Sequence, residues 1–366
     1  MYDPAERCAW RAPGPRRGLH MTAGSLMTAE IGEQPEVLGR LVARHAADRD
    51  QVRAVLPGLL PPGQLAGTVL VARGSSDNVA VYGRYLLEMT TGRPAGLAAP
   101  SVHTRYHADV DFTGYLAVAL SQSGATPEIV ETAAHMRRAG AVVVGITNEP
   151  GSALTEACDL TLLTDAGTER AVPATKTVTA QLLVITAIAA AFDSGLVAAD
   201  DLRALPEAAA AVVADSASAQ AVAQRWADAS RLVVTGRGLA YAAALETALK
   251  IKESARVHAE GLSSADLLHG PIAAVDSGLP VLLVAGGERF ADDDHALAQR
   301  LSAAGVPHAV CGTEPDADLP LPAGASEVTA PILATIKGQQ LALAASLLRG
   351  LDPDAPAGLS KVTATH

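Results

Sequence analysis

The stretch Ala119-Leu120-Ser121-Gln122-Ser123-Gly124-Ala125-Thr126 joins two different sequence patterns. The continuous apolar run 115–120 is typical of a buried strand, and the amphipathic pattern of 127–138 predicts a helix. Backbone N–H groups in the first turn of a helix have no partner within the helix and lie at the positive end of its dipole. With the hydroxyls of Ser121, Ser123 and Thr126, this turn predicts a site for a phosphate or carboxylate that needs no cation.

Outward from this turn, apolar runs of strand length alternate with segments of helix length along the whole chain. The predicted strands are 68–72, 115–120, 142–146, 160–163, 232–235, 281–284 and 308–310. The predicted helices are 31–55, 77–89, 127–138, 175–192, 205–229, 239–257, 292–304 and 332–348. Helices of this length between strands predict right-handed crossovers around parallel sheets.

The two halves of this series open alike, because the segments 69–75 and 232–238 both run from an apolar strand through a glycine turn into a helix. We interpret this as an internal duplication with a boundary near 193–205. Where the first half has the serine-rich turn, the second has Ala285-Gly286-Gly287-Glu288-Arg289. The sequence therefore predicts an anion site in the first half alone.

Composition narrows the classes of function. The chain has 366 residues, a net charge of −11 and a hydrophobic fraction of 49%, which is ample for a core but argues against nucleic-acid or membrane-surface partners. No apolar run reaches the roughly 18 residues that span a bilayer. Residues 1–26 lack the apolar centre of a signal peptide and are expected to be a disordered tail, so the predicted location is the cytoplasm.

Neither a metal nor a cofactor is expected. Cys8, Cys158 and Cys311 are far apart, and the ten histidines form no ligand cluster; free thiols in a reducing compartment are the simplest interpretation. Gly236-Arg237-Gly238 matches only part of the dinucleotide fingerprint, because Tyr241 stands where the third glycine belongs.

Three further features are candidates for chemistry. The turn 73–77 ends a predicted strand with two serines, which either cap the next helix or bind an anion beside the opening turn. Lys250 and Glu253 close an otherwise apolar helix, where ionisable groups are costly unless paired or used. His269 precedes a Gly-Pro turn that fixes its position. A lone histidine is usually structural, but Glu253 and His269 are plausible as base and acid in sugar-phosphate chemistry.

Together these motifs resemble the sugar-isomerase (SIS) family, in particular the isomerase half of glucosamine-6-phosphate synthase and its deaminase relatives. The segments that carry the resemblance are 30–35, 73–76, 121–126, 167–176, 248–253, 258–260, 268–271 and 359–361. The resemblance implies an α/β fold of two tandem SIS domains, each a flavodoxin-like parallel sheet flanked by helices. The expected division is a first domain at 27–197, a second at 198–350 and a C-terminal tail at 351–366.

The resemblance also implies a phosphate site in the first domain and a sugar pocket beside it. The residues that would hold the 6-phosphate are Ser76, Ser121, Gln122, Ser123 and Thr126. Glu169 and Val172 would line the sugar pocket.

Four catalytic residues follow from the same resemblance. Glu253 would move a proton between C1 and C2 of the open-chain sugar, and His269 would open the ring from the second subunit of a homodimer. Lys361, in the tail, matches the lysine with which the synthase forms a Schiff base, and Lys250 matches a nearby site lysine.

About 30 residues precede the segment 30–35, and Cys8 lies among prolines and arginines, so a glutaminase domain is not expected. The predicted reaction is therefore glucosamine 6-phosphate plus water giving fructose 6-phosphate plus ammonia. A fructosamine-6-phosphate deglycase, a galactosamine-6-phosphate deaminase and a non-catalytic sugar-phosphate sensor are the alternatives. The sequence leaves open the sugar epimer, the group on the nitrogen, the direction of the reaction and the start codon, since Met21 or Met27 also fits.

Overall fold

A computed structural model describes residues 22–61, 63–193, 195 and 197–361 of the chain. Its ten described strands form two parallel five-stranded sheets. The first sheet contains β1 (Gly67–Val71), β2 (Ala95–Leu97), β3 (Tyr115–Leu120), β4 (Val142–Thr147) and β5 (Leu160–Leu163). The second contains β6 (Arg231–Gly236), β7 (His258–Ser263), β8 (Val281–Val284), β9 (His308–Gly312) and β10 (Leu319–Pro320).

The two sheets have the same strand order. The first runs β2-β1-β3-β4-β5 and the second β7-β6-β8-β9-β10, which is the flavodoxin-like order 2-1-3-4-5. This confirms the predicted fold of two tandem flavodoxin-like sheets. In each sheet the order reverses beside the first strand, between β1 and β3 or between β6 and β8, and the loops at the carboxyl ends of these strands border a crevice.

Helices flank both sheets. In chain order they are α1 (Ser25–Gly32), α2 (Gln34–Leu59), α3 (Ser75–Thr91), α4 (Pro100–Thr104), α5 (Pro127–Arg138), α6 (Ala153–Ala157), α7 (Lys176–Phe192), α8 (Ala199–Ala214), α9 (Ser216–Arg225), α10 (Ala240–Ala255), α11 (Ser264–Leu268), α12 (Ala291–Ala303) and α13 (Ala330–Leu348). None of the described helices is both long and apolar enough to cross a membrane.

The halves share one hydrophobic core, which includes Leu86 and Ile185 from the first half and Ile251 and Ile336 from the second. Helix α3 packs against α7, and α10 packs against α13. Helices α3 and α10, which follow the first strand of their respective sheets, also pack against each other. This contact sets the amino end of α3 beside the middle of α10, and it positions the site described below.

The structure corrects several predicted elements. The helix expected at 31–55 is two helices that meet at Glu33, and α1 already begins at Ser25, inside the segment expected to be a tail. The helix expected at 205–229 is also split, because the Asp215 side chain caps α9 by accepting a hydrogen bond from the Ser218 N–H. Strands β2, β7 and β10 were not predicted, since two are very short and the third carries polar residues. Residues 1–21 of the expected tail lie outside the described residues.

Candidate functional site

A cavity of about 350 Å³ lies at the carboxyl ends of β1 and β3, where the order of the first sheet reverses. Crevices of this kind are the usual ligand sites of open parallel sheets. Its walls come from both halves of the chain and from the C-terminal segment. The predicted site residues that line it are Ser76, Ser121, Gln122, Ser123, Thr126, Val172, Lys250, Glu253 and Lys361.

One end of the cavity is an anion cradle, which we define as residues 73–76 and 121–126. Helices α3 and α5 both begin there, and neither has a hydrogen-bonded side-chain cap. Their first N–H groups and dipoles therefore lie beside the cavity. The Ser121 and Thr126 hydroxyl oxygens are 3.3 Å apart across the turn. The cradle thus offers neutral donors suited to a phosphate.

Gly124 is required by the geometry of this turn. Its φ of +59° lies in the left-handed region, and a Cβ there would lie 2.0 Å from Oγ of Ser152. Any side chain at Gly124 would push the turn away from the strand end, because the neighbouring loop fills the space.

Arg73 belongs to the cradle, but the sequence alone predicted no individual role for it. Its guanidinium donates to both carboxylate oxygens of Glu128, at 3.0 and 3.1 Å. Glu128 lies in the first turn of α5, so this fork-like ion pair ties the two halves of the cradle together. It also cancels the positive charge of Arg73, which leaves the cradle close to neutral.

The opposite wall of the cavity carries an acid–base cluster on α10. Nζ of Lys250 lies 2.5 Å from Oε2 of Glu253 and 3.5 Å from Oε1 of Glu246. Lys250 is 1% exposed and Glu253 is 24% exposed, so only the glutamate reaches solvent. Burial by itself would lower the pKa of Lys250, but the charges of Glu246 and Glu253 raise it above its usual value. Lys250 is therefore a fixed ammonium beside the Glu253 carboxylate.

The C-terminal segment supplies Lys361 from the side. Its ammonium donates to Oε2 of Glu169 at 2.6 Å and to the carbonyl of Ala171 at 2.8 Å. Although predicted to line the sugar pocket, Glu169 lies behind the cavity wall with its side chain fully buried. It accepts hydrogen bonds from the N–H and hydroxyl groups of Thr175 and Thr177. Burial would raise the pKa of Glu169, but Lys361 and these donors hold it below its usual value.

The segment 30–35 supports this loop from α1 and α2. The Glu30 carboxylate accepts hydrogen bonds from the Arg170 and Ala171 N–H groups, and Glu33 forms an ion pair with buried Lys176. Burial raises the pKa of Glu30 above its usual value. The sequence pattern gave these glutamates no role, because the contacts join residues about 140 positions apart.

Two aspartates anchor the C-terminal segment. The Asp354 carboxylate accepts from the Leu26 and Met27 N–H groups at 2.9 and 2.8 Å, at the amino end of α1, and the carbonyl of Asp354 accepts from the Val172 N–H at 2.9 Å. Asp352 accepts from the Gly24 N–H at 3.2 Å. These bonds set the path along which residues 359–361 reach the cavity.

His269 is the one predicted catalytic residue that the fold keeps away from the others. It follows α11 on the surface, is exposed, and does not line the cavity of its own chain. The cavity of a single chain therefore contains Glu253 but not His269.

The equivalent crevice of the second half is filled by the chain itself. A Cβ on Gly238 or Gly286 would lie 2.6 or 2.7 Å from the Phe290 ring, and the Gly286 N–H donates to the Asp294 carboxylate at 2.8 Å. An aromatic ring and a carboxylate thus occupy the place that the cradle leaves open in the first half.

Within the described residues, no group of three or more His, Cys, Asp or Glu side chains is arranged to hold a metal ion.

Comparison with known proteins identifies the domain that both halves of the chain contain. The SIS-domain profile matches residues 68–191 and 226–317. The chain is 33% identical over 356 residues to the isomerizing glutamine–fructose-6-phosphate aminotransferase of Aeropyrum pernix, covering 92% of this chain and 56% of that protein. It therefore spans about half the length of such curated relatives.

Two solved structures have the same architecture. A candidate phosphosugar isomerase from Silicibacter pomeroyi DSS-3 is 33% identical with a TM-score of 0.80, covering 90% of this chain and 99% of that one. The glucosamine-6-phosphate deaminase of Thermotoga maritima has a TM-score of 0.75 over 93% of this chain and 100% of that one, but at 22% identity it supports the fold alone.

Proposed function

The chain belongs to the SIS-domain family, and on that premise we propose that it is an amino-sugar-phosphate deaminase, which converts glucosamine 6-phosphate and water to fructose 6-phosphate and ammonia. The observation that carries the proposal is the joining, in one cavity, of a neutral anion cradle from the first half and the Glu253 carboxylate from the second. An enzyme of this class needs both, one for the phosphate and one for the carbon acid.

The cradle is the proposed phosphate site. Ser76 and Ser121 are 8% and 4% exposed; Ser76 lies in the first turn of α3, and Ser121 directly follows β3 in the turn that leads to α5. Because the chain carries a net charge of −11, a dianionic sugar phosphate needs local donors of this kind. Binding at the phosphate is remote from the reacting carbons, so its energy holds C1 and C2 near Glu253.

Glu253 is the proposed base. The C2–H bond of the open-chain amino aldose breaks and the proton passes to the Glu253 carboxylate. The C2 electron pair forms a C1–C2 double bond while the C1=O π pair moves to O1, which takes a proton from water. Glu253 then returns its proton to C1 as the nitrogen lone pair forms a C2=N bond, and water hydrolyses this protonated ketimine to the ketose and ammonia. His269 of a second copy of the chain assists ring opening in this proposal, because it is exposed and outside its own cavity.

The state of Lys361 favours a substrate that brings its own nitrogen. Nζ of Lys361 is held at 2.6 Å by Oε2 of buried Glu169 and at 2.8 Å by the Ala171 carbonyl, so it would have to leave both partners to attack a carbonyl carbon. An amino sugar already carries the nitrogen at C2, so its isomerisation does not require Lys361 as a nucleophile. This is the reason to propose an amino sugar as substrate ahead of a plain ketose.

The experiment is an assay of ammonia release from glucosamine and galactosamine 6-phosphates, run beside an assay of amino-acid release from fructosamine 6-phosphates. We expect turnover of glucosamine 6-phosphate in the wild type. Glu253→Gln should lose at least about a hundredfold in kcat while retaining phosphate-dependent binding, and Glu207→Gln, an exposed change on α8, should behave as wild type.

Each other outcome replaces the proposal with a named alternative. Amino-acid release alone would identify a deglycase, and turnover of the galacto epimer alone would identify a galactosamine-6-phosphate deaminase. Binding of all these sugars without turnover would identify a sensor. Full activity of Glu253→Gln would refute its role as the base.

A further inference from the structure

Glu246 is a buried carboxylate that the proposed mechanism does not use. It is 2% exposed, lies one turn before Lys250 on α10, and does not line the cavity. Its Oε2 accepts a hydrogen bond from Asn78 Nδ2 at 2.7 Å, and its Oε1 faces Nζ of Lys250 at 3.5 Å. Burial raises the pKa of Glu246, partly offset by Lys250 and Asn78.

The proposed proton transfer changes the charge balance around Lys250, and Glu246 lies where it can compensate for that change. When Glu253 accepts the C2 proton it becomes neutral, and Lys250 loses the partner that lies 2.5 Å away. A buried ammonium without a counterion is strongly destabilised and tends to release its proton. The charged groups that act on Lys250 are Glu246, Glu253 and the more distant Glu169. With Glu253 neutral, Glu246 is the nearest carboxylate left.

We propose that Glu246 is a positioning residue, the second counterion that keeps Lys250 an ammonium while Glu253 holds the substrate proton. The proposal rests on the base role of Glu253 given above. The charge of Lys250 then changes little between the two protonation states of Glu253. The ammonium can donate a hydrogen bond throughout, and Glu253 returns the proton to the sugar from an unchanged position.

The carboxylate of Glu246 is held from the other half of the chain. Asn78 is in the first turn of α3, directly after the cradle residues 73–76, and its side-chain amide donates to Glu246 at 2.7 Å. The helix that begins at the cradle therefore holds the buried carboxylate of the helix that carries Glu253. A change that moves the start of α3 should therefore alter the positions of the Lys250 and Glu253 side chains as well as the affinity for phosphate.

The decisive test measures Lys250 directly and needs no substrate. In Glu253→Gln, a mimic of the protonated base, NMR of lysine labelled at Cε should show that Lys250 is still an ammonium at about pH 8, because Glu246 remains. In the double variant Glu246→Gln/Glu253→Gln, the pKa of Lys250 should fall by roughly 2 units or more. Equal titration of Lys250 in the single and double variants would refute the proposal, whatever reaction the enzyme performs.

Kinetics give a second test that is separate from the first. With whichever substrate the wild type turns over, Glu246→Gln should lower kcat about tenfold or more, with a KM change below about twofold, because it removes an interaction needed after binding. The alkaline limb of the kcat–pH profile should move to lower pH. Asn78→Ala, which leaves the charge in place, should cause a smaller loss in kcat. An unchanged kcat in folded Glu246→Gln would contradict the proposal, whereas a wild type without any turnover would count only against the proposed function.

Discussion

Replacing Gly124 by alanine should damage the cradle in two separable ways. A left-handed φ costs an alanine about 1 kcal/mol, and the new Cβ would also lie 2.0 Å from Oγ and 2.5 Å from Cβ of Ser152. Overlap of this kind forces the turn to shift and adds roughly 1–3 kcal/mol. We therefore expect Gly124→Ala to destabilise the protein by about 2–4 kcal/mol and to weaken phosphate binding.

Two further variants separate these costs. Gly92 ends α3 with a φ of +61°, and a Cβ there would meet nothing within 4 Å, so Gly92→Ala pays only the conformational cost. Ser152→Gly removes the two nearest of the three atoms that a Cβ on Gly124 would meet, and leaves Oγ1 of Thr147 at 2.8 Å. The Ser152 hydroxyl is buried without a hydrogen-bond partner among the described residues, and glycine is a good N-cap for α6. The double variant Gly124→Ala/Ser152→Gly should recover most of the steric part.

Thermal unfolding, followed by calorimetry, gives the readout. At about 2 °C per kcal/mol for a chain of this size, Gly92→Ala should lower Tm by about 2 °C and Gly124→Ala by about 4–8 °C. Titration with inorganic phosphate should show weaker binding for Gly124→Ala only. If Gly124→Ala is no worse than Gly92→Ala, or if Ser152→Gly rescues nothing, the steric account of this turn is refuted.

Two other predictions concern pH and the C-terminal segment. Burial, with the charge of Arg49, lowers the pKa of His45 to about 4. Below about pH 6.5 the unfolded chain therefore binds a proton that the native state does not, so the free energy of unfolding decreases as the pH is lowered. Between pH 7 and 5 this contributes about 2 kcal/mol, and His45→Gln should show a correspondingly smaller fall in Tm; an equal fall would contradict the assignment. Asp354→Asn should raise KM about fivefold, since an amide satisfies one of the two N–H groups, and Asp352→Asn should change it less; the reverse order in steady-state kinetics would refute this anchoring.

The elements predicted from sequence are those whose pattern is local. The apolar run before Ser121 and the amphipathic helix after it carry period and boundary signals within a few residues, and both lie where expected. The repeated strand–glycine–helix opening gave the duplication, and the identical strand order of the two sheets bears it out. Strand β7 could not be predicted from the sequence, because it consists mostly of polar and small residues and lacks an apolar run.

The site divides in the same way. Residues of the cradle and of α10 could be predicted because each group is contiguous and chemically distinct in sequence. The hydrogen-bond partners of the buried carboxylates could not be predicted, because they are distant in sequence. Glu246 accepts a hydrogen bond from Asn78, 168 residues away, and Glu169 accepts one from Lys361, 192 residues away. Buried carboxylates look like ordinary helical or loop glutamates in a sequence. Their roles depend on which cation the fold brings to them.

The duplication explains why one cavity needs both halves of the chain. In the second half, Phe290 and the Asp294 carboxylate fill the crevice that the cradle leaves open in the first. Burial raises the pKa of Asp294 to about 6, yet its carboxyl still satisfies the Gly286 N–H that an anion would use. The chain's own side chains thus occupy this place in the second half, while its helix α10 puts Lys250 and Glu253 in the wall of the first half's cavity. The cavity therefore combines the anion cradle of one half with the Lys250–Glu253 pair of the other, a combination that neither half supplies alone.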